Sequence, residues 1–315
     1  MTEPLDLVLA GNLLVDDIVL ADGTTLLGEP GGAVLHAALA AHLWGCRVGI
    51  LSVVGSDYPA ATLDTLAARG IDLAGVRLLG GPGGRAWLLH EPSARRVIHH
   101  LDSPSHAAVS PTPADLPAEW RAARGIHLAP MPLECQLDLA RCLAATDAES
   151  APFVSLDPFE LVRDQTTARW REPLAQIDAL FAGEDDLRLS GSTAGTLDDL
   201  AGDRLRLLVL KQADRGGMLL DRRADEAHRW EARAGEDVVD VTGAGDAFAG
   251  GFLAGWLATG DISRSLAQGV VSASLVLEDW GSRGLARATP ALARARLAEW
   301  FPELAQAATQ EPVAR

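Results

Sequence analysis

The sequence predicts an α/β protein, a mostly parallel sheet with helices packed on both faces. Short apolar runs of strand length alternate with segments long enough for helices. The clearest run, Leu207-Leu-Val-Leu210, is continuously apolar, as a strand covered on both faces must be. Hydrophobic residues make up 48% of 315 residues, enough to fill the core of one large α/β domain. Alternating β and α elements imply parallel strands, because each crossover helix returns the chain to the same end of the sheet.

Taken in order, Leu7-Val-Leu-Ala-Gly11 reads as the first buried strand, ending at Gly11. From Gly31 to Gly45 the residues Val34, Ala38, Ala41 and Trp44 fall at helical spacing, with Gly45 as terminator. Val48 to Val54 reads as a strand and Tyr58 to Gly70 as a helix. After residue 120 the alternation resumes, with strands at Ile126–Ala129, Phe153–Leu156, Ala179–Phe181 and Leu207–Leu210. Ile18 to Glu29 and Arg85 to Leu101 break the rhythm. Both look extended, and they are expected to form a small sheet projecting as a lid. Ser103 to Pro117, rich in Pro, Ser and Ala, reads as the loop back to the core, and the tail after Gln306 is expected to fray. The organisation read from this order is a single domain, 1–315, with lid segments near 12–30 and 84–102.

Composition excludes several function classes. A net charge of −16 argues against nucleic acid as a main partner. The apolar runs stop short of a membrane span, and Met-Thr-Glu-Pro-Leu-Asp6 is acidic and leads directly into a strand. No signal peptide and a cytoplasmic location are therefore expected, with no membrane partner. Cys46, Cys135 and Cys142 are odd in number and form no Cys-x-x-Cys pair, so they are expected to be reduced. His99-His100 would point to opposite faces of a strand and make a poor metal clamp.

The densest chemistry lies in Asp240-Val-Thr-Gly-Ala-Gly-Asp246, followed by an apolar segment running to Trp256. Gly243 and Gly245 permit a tight turn whose N–H groups point one way. A helix starting near Asp246 adds unpaired N–H groups and the positive end of its dipole. That combination suits a phosphate. An acid inside an anion site makes sense when it takes a proton from a hydroxyl attacking the phosphate, so the segment reads as part of a phosphotransferase. A plain capping turn is the alternative at this level. The chain has no Gly-x4-Gly-Lys-Ser/Thr loop, no opening Gly-x-Gly-x-x-Gly and no Gly-x-Ser-x-Gly elbow.

Asp240-Val-Thr-Gly-Ala-Gly-Asp246 resembles the C-terminal signature of the ribokinase-like (PfkB) carbohydrate kinases, Asp-Thr-x-Gly-Ala-Gly-Asp, departing from it at Val241. Pro30-Gly31-Gly32 before a helix resembles the N-terminal Gly-Gly motif of the same family, and the element order fits from about residue 5 to 295. The resemblance implies a three-layer α/β/α sandwich with a small β lid, using ATP and Mg²⁺. Asp246 would be the general base, and the backbone of Gly243, Ala244 and Gly245 the anion hole. Asp240 and Thr242 match positions that in relatives help hold a monovalent cation, K⁺.

On the acceptor side, Asp16 matches a strand-end acid that receives sugar hydroxyls in relatives. A carboxylate accepts two hydrogen bonds side by side, which suits a vicinal diol. Gly31 and Gly32 would let the backbone approach the substrate. His36 stands where the family usually has Asn, which unsettles ribose-type recognition. Arg85, Arg95 and Arg96 lie in the lid, where one could reach over an acidic substrate. On the nucleotide side, Lys211 to Gly216 resembles the loop bordering ATP, with Ala213 where the family has its first Gly. Phe181-Ala-Gly-Glu-Asp-Asp186 departs from the family's Asn-x-x-Glu; Glu184 and Asp185 are the carboxylates that would serve Mg²⁺ there. The resemblance implies phosphorylation of a hydroxyl of a sugar or small polyol. An inositol or nucleoside kinase of the same fold stays open, as does a non-catalytic metabolite-binding relative. Relatives often form homodimers through their lid sheets; the short connection from Asp16 to Gly31 trims the lid and weakens that expectation.

Overall fold

Residues 4–91, 94–144, 151–188, 200–235 and 237–304 are described by the computed structural model. The first half contains β1 (Leu7–Ala10), β2 (Leu14–Val19), β3 (Thr25–Gly31), α1 (Ala33–Leu43), β4 (Val48–Val54), α2 (Ala60–Ala68), β5 (Asp72–Leu78), β6 (Arg85–Glu91), β7 (Ala94–His99), β8 (Gly125–Leu128) and α3 (Leu133–Ala144). Then come β9 (Phe153–Leu156), β10 (Val162–Arg163), α4 (Thr167–Gln176), β11 (Ala179–Gly183), β12 (Leu187–Arg188), β13 (Leu207–Lys211), β14 (Gly217–Asp221) and β15 (Glu226–Trp230). The chain closes with α5 (Ala244–Thr259), α6 (Ile262–Leu277), α7 (Arg283–Arg287) and α8 (Pro290–Trp300).

The runs that are apolar throughout become the middle of a nine-stranded sheet, ordered β15-β14-β13-β11-β9-β8-β1-β4-β5. All neighbours from β13 to β5 are parallel; β14 and β15 add an antiparallel edge. Period-two alternation sends Leu7 and Leu9 of β1 into one core, with α1, α5 and α6, and Val8 and Ala10 into the other, with α3 and α4. The three-layer α/β/α sandwich follows. Strand order reverses beside β1: the chain builds outward through β4 and β5, then returns to β8 and continues the other way. In such sheets the crevice outside the carboxyl ends at that reversal is the natural ligand site.

Two helices behind the sheet are apolar on every side, as deeply buried helices are. Helix α5 carries Gly250, Gly251 and Gly255 so that its neighbours can come close. A Cβ at Gly250 would strike the carbonyl of Ala37 in α1. One at Gly251 would strike Ser272, and one at Gly255 would crowd Ser265 and Gln268, all in α6.

The lid is a four-stranded sheet, β3-β2-β6-β7, in which β2 runs parallel to β6 and antiparallel to β3. Its register with β3 shifts between Asp16 and Ile18. Asp17 is buried, accepting from Gly28 N–H at 2.8 Å and from both ends of the Arg85 fork at 2.7 Å. Burial works against its charge, but those donors hold the carboxyl below the usual carboxylate range. Arg85 is thereby a lid strut, and exposed Arg96 pairs with Glu91; the Arg95 side chain lies outside the described residues. Ser103 to Pro117 contains two short 3-10 turns, His106–Val109 and Pro113–Asp115, within the loop. The tail after Gln306 lies outside the described residues. Among those described, no helix is long and apolar enough to cross a membrane.

Candidate active site

The carboxyl ends of β9, β11 and β13 meet the N-terminus of α5. Gly243 caps that helix with φ 80°, an angle an L side chain resists, and the His36 ring packs where its Cβ would be. The first-turn N–H groups have no partner within the helix. Ala244 N–H makes only a long bond, 3.3 Å, to the Val241 carbonyl as the turn closes. The helix begins at Ala244, which places Asp246 in its first turn, half-buried.

Lys211, the last residue of β13, reaches into this corner. Its ammonium pairs with Asp157 and lies 3.5 Å from the position a Gly245 Cβ would take. Burial opposes the Lys211 charge, but Asp157, Asp246 and Asp186 outweigh it and raise its pKa. Burial also dominates at Asp157; against the pull of Lys211, and helped by the charges of Asp246 and Asp186, it pushes the carboxyl up to about 7. Beneath them His127 is driven down to about 3 by burial and then by Lys211; it bonds Ser155 Oγ at 2.9 Å.

Beside the corner, a cleft of about 550 Å³ runs between the β13–β15 edge and helices α5 and α6, lined by Lys211, Gly216, Trp230, Val241, Gly245 and Phe248. Trp230 and Phe248 stack with centroids 5.0 Å apart, giving it an apolar wall. Val241, the departure from the signature, faces this cleft. Ala213 adopts φ 51°, so the loop keeps the left-handed turn at a strain of about 1–2 kcal/mol. Gly216 is required by space as well, since a Cβ there would meet the Trp230 carbonyl.

At the head of β11, Glu184 turns to the surface and pairs with Arg215. Asp186 accepts from Gly183 N–H at 2.7 Å and adds its charge to the Lys211–Asp157 pair. The Asp185 side chain lies outside the described residues. Among the described residues, no group of three or more His, Cys, Asp or Glu side chains gathers as a metal cage.

The acceptor side lies around the reversal point. Asp16 is buried, and Gly31 is glycine because a Cβ there would overlap its carboxylate. Gly32 takes φ 99° and lies against the Asn12 carbonyl. His36 Nδ1 donates to the Gly32 carbonyl at 3.2 Å, which leaves Nε2 as an acceptor. His36 Nε2, Tyr58 Oη and His106 Nδ1 are buried without a hydrogen-bond partner among the described residues. Burial, then the charge of Asp16, raises the Tyr58 phenol. His106 Nε2 bonds Asn12 Oδ1 at 2.9 Å, and burial followed by His99 pushes the ring down to about 4, so it is neutral. The Phe159 ring meets His106 edge-on at 4.5 Å, and His99 lies 5.2 Å away.

Thus Asp246, Gly243, Gly245 and Lys211 meet at one point, and Asp16, Gly31, Gly32 and His36 form a second group joined to it where His36 touches Gly243. Sequence reasoning missed Asp157, Tyr58, His106, Asn12 and His90. Asp157 had a signal, an acid followed by Pro158 directly after a predicted parallel strand. The others come from segments with no local pattern.

Comparison with known proteins gives the family to which this arrangement belongs. The sequence profile of the pfkB family carbohydrate kinases matches residues 14–288. The chain belongs to that family and is a phosphotransferase with a hydroxyl acceptor. It is 28% identical over 285 residues to a cytidine kinase of Thermococcus kodakarensis, covering 88% of this chain and 98% of that one. It is 31% identical over 268 residues to an ATP-dependent ribose-1-phosphate kinase of Halopiger xanaduensis, covering 81% and 83%. Its fold matches an Escherichia coli protein assigned as a ribokinase II, solved with ATP and Mg²⁺, at a TM-score of 0.76 and 17% identity over 94% of this chain and 99% of that one.

Proposed function

We propose that the protein transfers the γ-phosphoryl group of ATP to a hydroxyl of a sugar ring held between the main sheet and the lid, in one domain. Asp246 takes the hydroxyl proton, and the N–H groups of Gly243, Ala244 and Gly245 hold the phosphoryl oxygens. The observation that carries this reading is the meeting of the Lys211 ammonium, the head of α5 and the Asp246 carboxylate at one corner. An ammonium and a helix N-terminus together offset the charge of a transferred phosphoryl, and the acid beside them has a proton to take. The 550 Å³ cleft receives the nucleotide, its base against the Trp230–Phe248 wall and its phosphates toward Lys211.

Mg²⁺ fits the donor set as a metal held largely through phosphates and water, with one or two carboxylates. Asp186, with Asp157 shared between the metal and Lys211, would hold it; Glu184 pairs with Arg215 at the surface. Bound there, the metal would supply charge neutralisation on the phosphates. The chain's own residues do the rest. Asp16 orients the acceptor, the orphaned atoms of His36 and Tyr58 bond its hydroxyls, and the lid excludes water.

A second, narrower reading is that the sugar ring belongs to a nucleoside. The Phe159, His106 and His99 rings beside Asn12 offer a shelf for a base, and the likeness to a cytidine kinase supports it. ADP release measured with ATP and Mg²⁺ across sugars, sugar acids, polyols and nucleosides tests both readings. A general base supplies about 10²–10⁴-fold, so Asp246→Asn should lose that factor with an unchanged melting temperature. Turnover retained in the variant would remove Asp246 from its role. A response to free sugars alone would remove the nucleoside reading.

A further inference from the structure

The geometry beneath the anion loop departs from what the family resemblance implies. Asp240 and Thr242 match positions that help hold a monovalent cation, and such a cation needs oxygen lone pairs converging on one point. Here those oxygens already face N–H groups. Asp240 Oδ2 accepts from Gly281 N–H at 2.8 Å, and Oδ1 accepts from Thr242 N–H at 2.9 Å. His90 Nε2, arriving from lid strand β6, lies 3.1 Å from Thr242 Oγ1 and 3.5 Å from Asp240 Oδ1. The tautomer with its hydrogen on Nε2 donates to the hydroxyl and carboxylate oxygens that it faces. The donor set does not fit a monovalent cation.

A buried carboxylate must be paired or hydrogen-bonded. The Asp240 side chain is fully covered, and among the described residues no lysine or arginine pairs with it. His90 is the side chain that answers it, and is itself only 12% exposed. We propose that His90 stands in the place of the cation, so that the anion loop is held by a lid side chain and works without potassium. It is a positioning residue: it touches Asp240 and Thr242, and acts on the phosphate site through the turn that leads to Gly243.

The inference deepens the kinase reading and rests on it only where a nucleotide is the readout. Affinity for ADP and melting temperature are to be measured in KCl and in tetramethylammonium chloride at equal ionic strength. Wild type should show the same values in both salts. His90→Ala should lose about tenfold in ADP affinity in tetramethylammonium and recover it in KCl, with its melting temperature also higher in KCl. A simple loss of packing would not be restored by a choice of salt. Wild type that needs potassium, or a variant indifferent to it, would overturn the inference. Crystals of wild type soaked in thallium(I) decide the point should the variant fail to fold. Thallium density between Asp240 and Thr242 overturns it, and its absence there supports it. Should neither protein bind ADP, the kinase reading suffers, and the melting and thallium results still decide the role of His90.

Discussion

At the phosphate end of the candidate site an ammonium lies among carboxylates; at the acceptor end, beside the Asp16 carboxylate, three rings bury polar atoms that find no partner among the described residues. Lys211 lies against Asp157 in the field of Asp246 and Asp186, one ammonium among three carboxylates. Across Gly243, those rings belong to His36, Tyr58 and His106. In the proposed reading the ammonium and the helix head meet the phosphates, and a ligand rich in hydroxyls completes the second region. Affinity and specificity would then come from different halves, charge securing the nucleotide and hydrogen-bond completion selecting the acceptor.

Removing the ammonium should give the largest effect. Lys211→Met is expected to lower turnover by about 10²–10³-fold, the usual cost of losing one fixed charge donor to a developing anion. It should also destabilise the fold more at pH 8 than at pH 5, because a protonated Asp157 needs no counter-charge. Equal unfolding free energies in urea at both pH values would break the comparison at its charged end.

Asp157→Asn sharpens the same point. The folded carboxyl is raised from its ordinary 3.8 to about 7, so the folded chain holds an extra proton between those values. That contribution to stability is fully present below pH 3.8 and is lost as pH rises through 7. Relative to the variant, wild type should lose stability across that window, by about 4 kcal/mol at most. A pH-independent difference between the two unfolding curves would show that Asp157 is ionised throughout.

The smallest effect should come from the unmatched end. Tyr58→Phe removes an orphaned buried hydroxyl, so the empty protein should gain about 1 kcal/mol while the KM for the acceptor rises severalfold. A loss of stability on this substitution would mean that Tyr58 has a partner within the protein, and the contrast between the two halves would fail.

How far each region was legible follows from how it is built. The phosphate end rests on a contiguous segment, Asp240 to Asp246, whose glycines and acid announce their backbone geometry. Lys211 was legible as the end of the clearest strand; that it would be buried between carboxylates was not. The parallel core was legible too, because β1 and most of β4 and β13 are apolar and α1 has helical spacing. The antiparallel edge was less so. Strand β15 is a polar edge strand, and the reversal from β13 into β14 depends on the turn at Ala213 and Gly216, where alanine conceals a left-handed angle. The acceptor end draws Asn12, Tyr58 and His106 from a strand end, a helix approach and a loop. None is unusual in its own neighbourhood, and only tertiary burial makes the unmatched atoms of Tyr58 and His106 informative. His90 is of the same kind, one polar residue among several on a lid strand.

Helix α5 meets α1 backbone to backbone, Gly250 on Ala37, and the next residue back along α1, His36, lies on Gly243 at the head of α5. The gap between the two groups of residues is thus gauged by one main-chain contact and by the His36 ring on Gly243. The main-chain contact does not drift when acceptor-side residues other than His36 are exchanged. A fold jointed this way can change the sugar it accepts and keep its aim on the phosphorus.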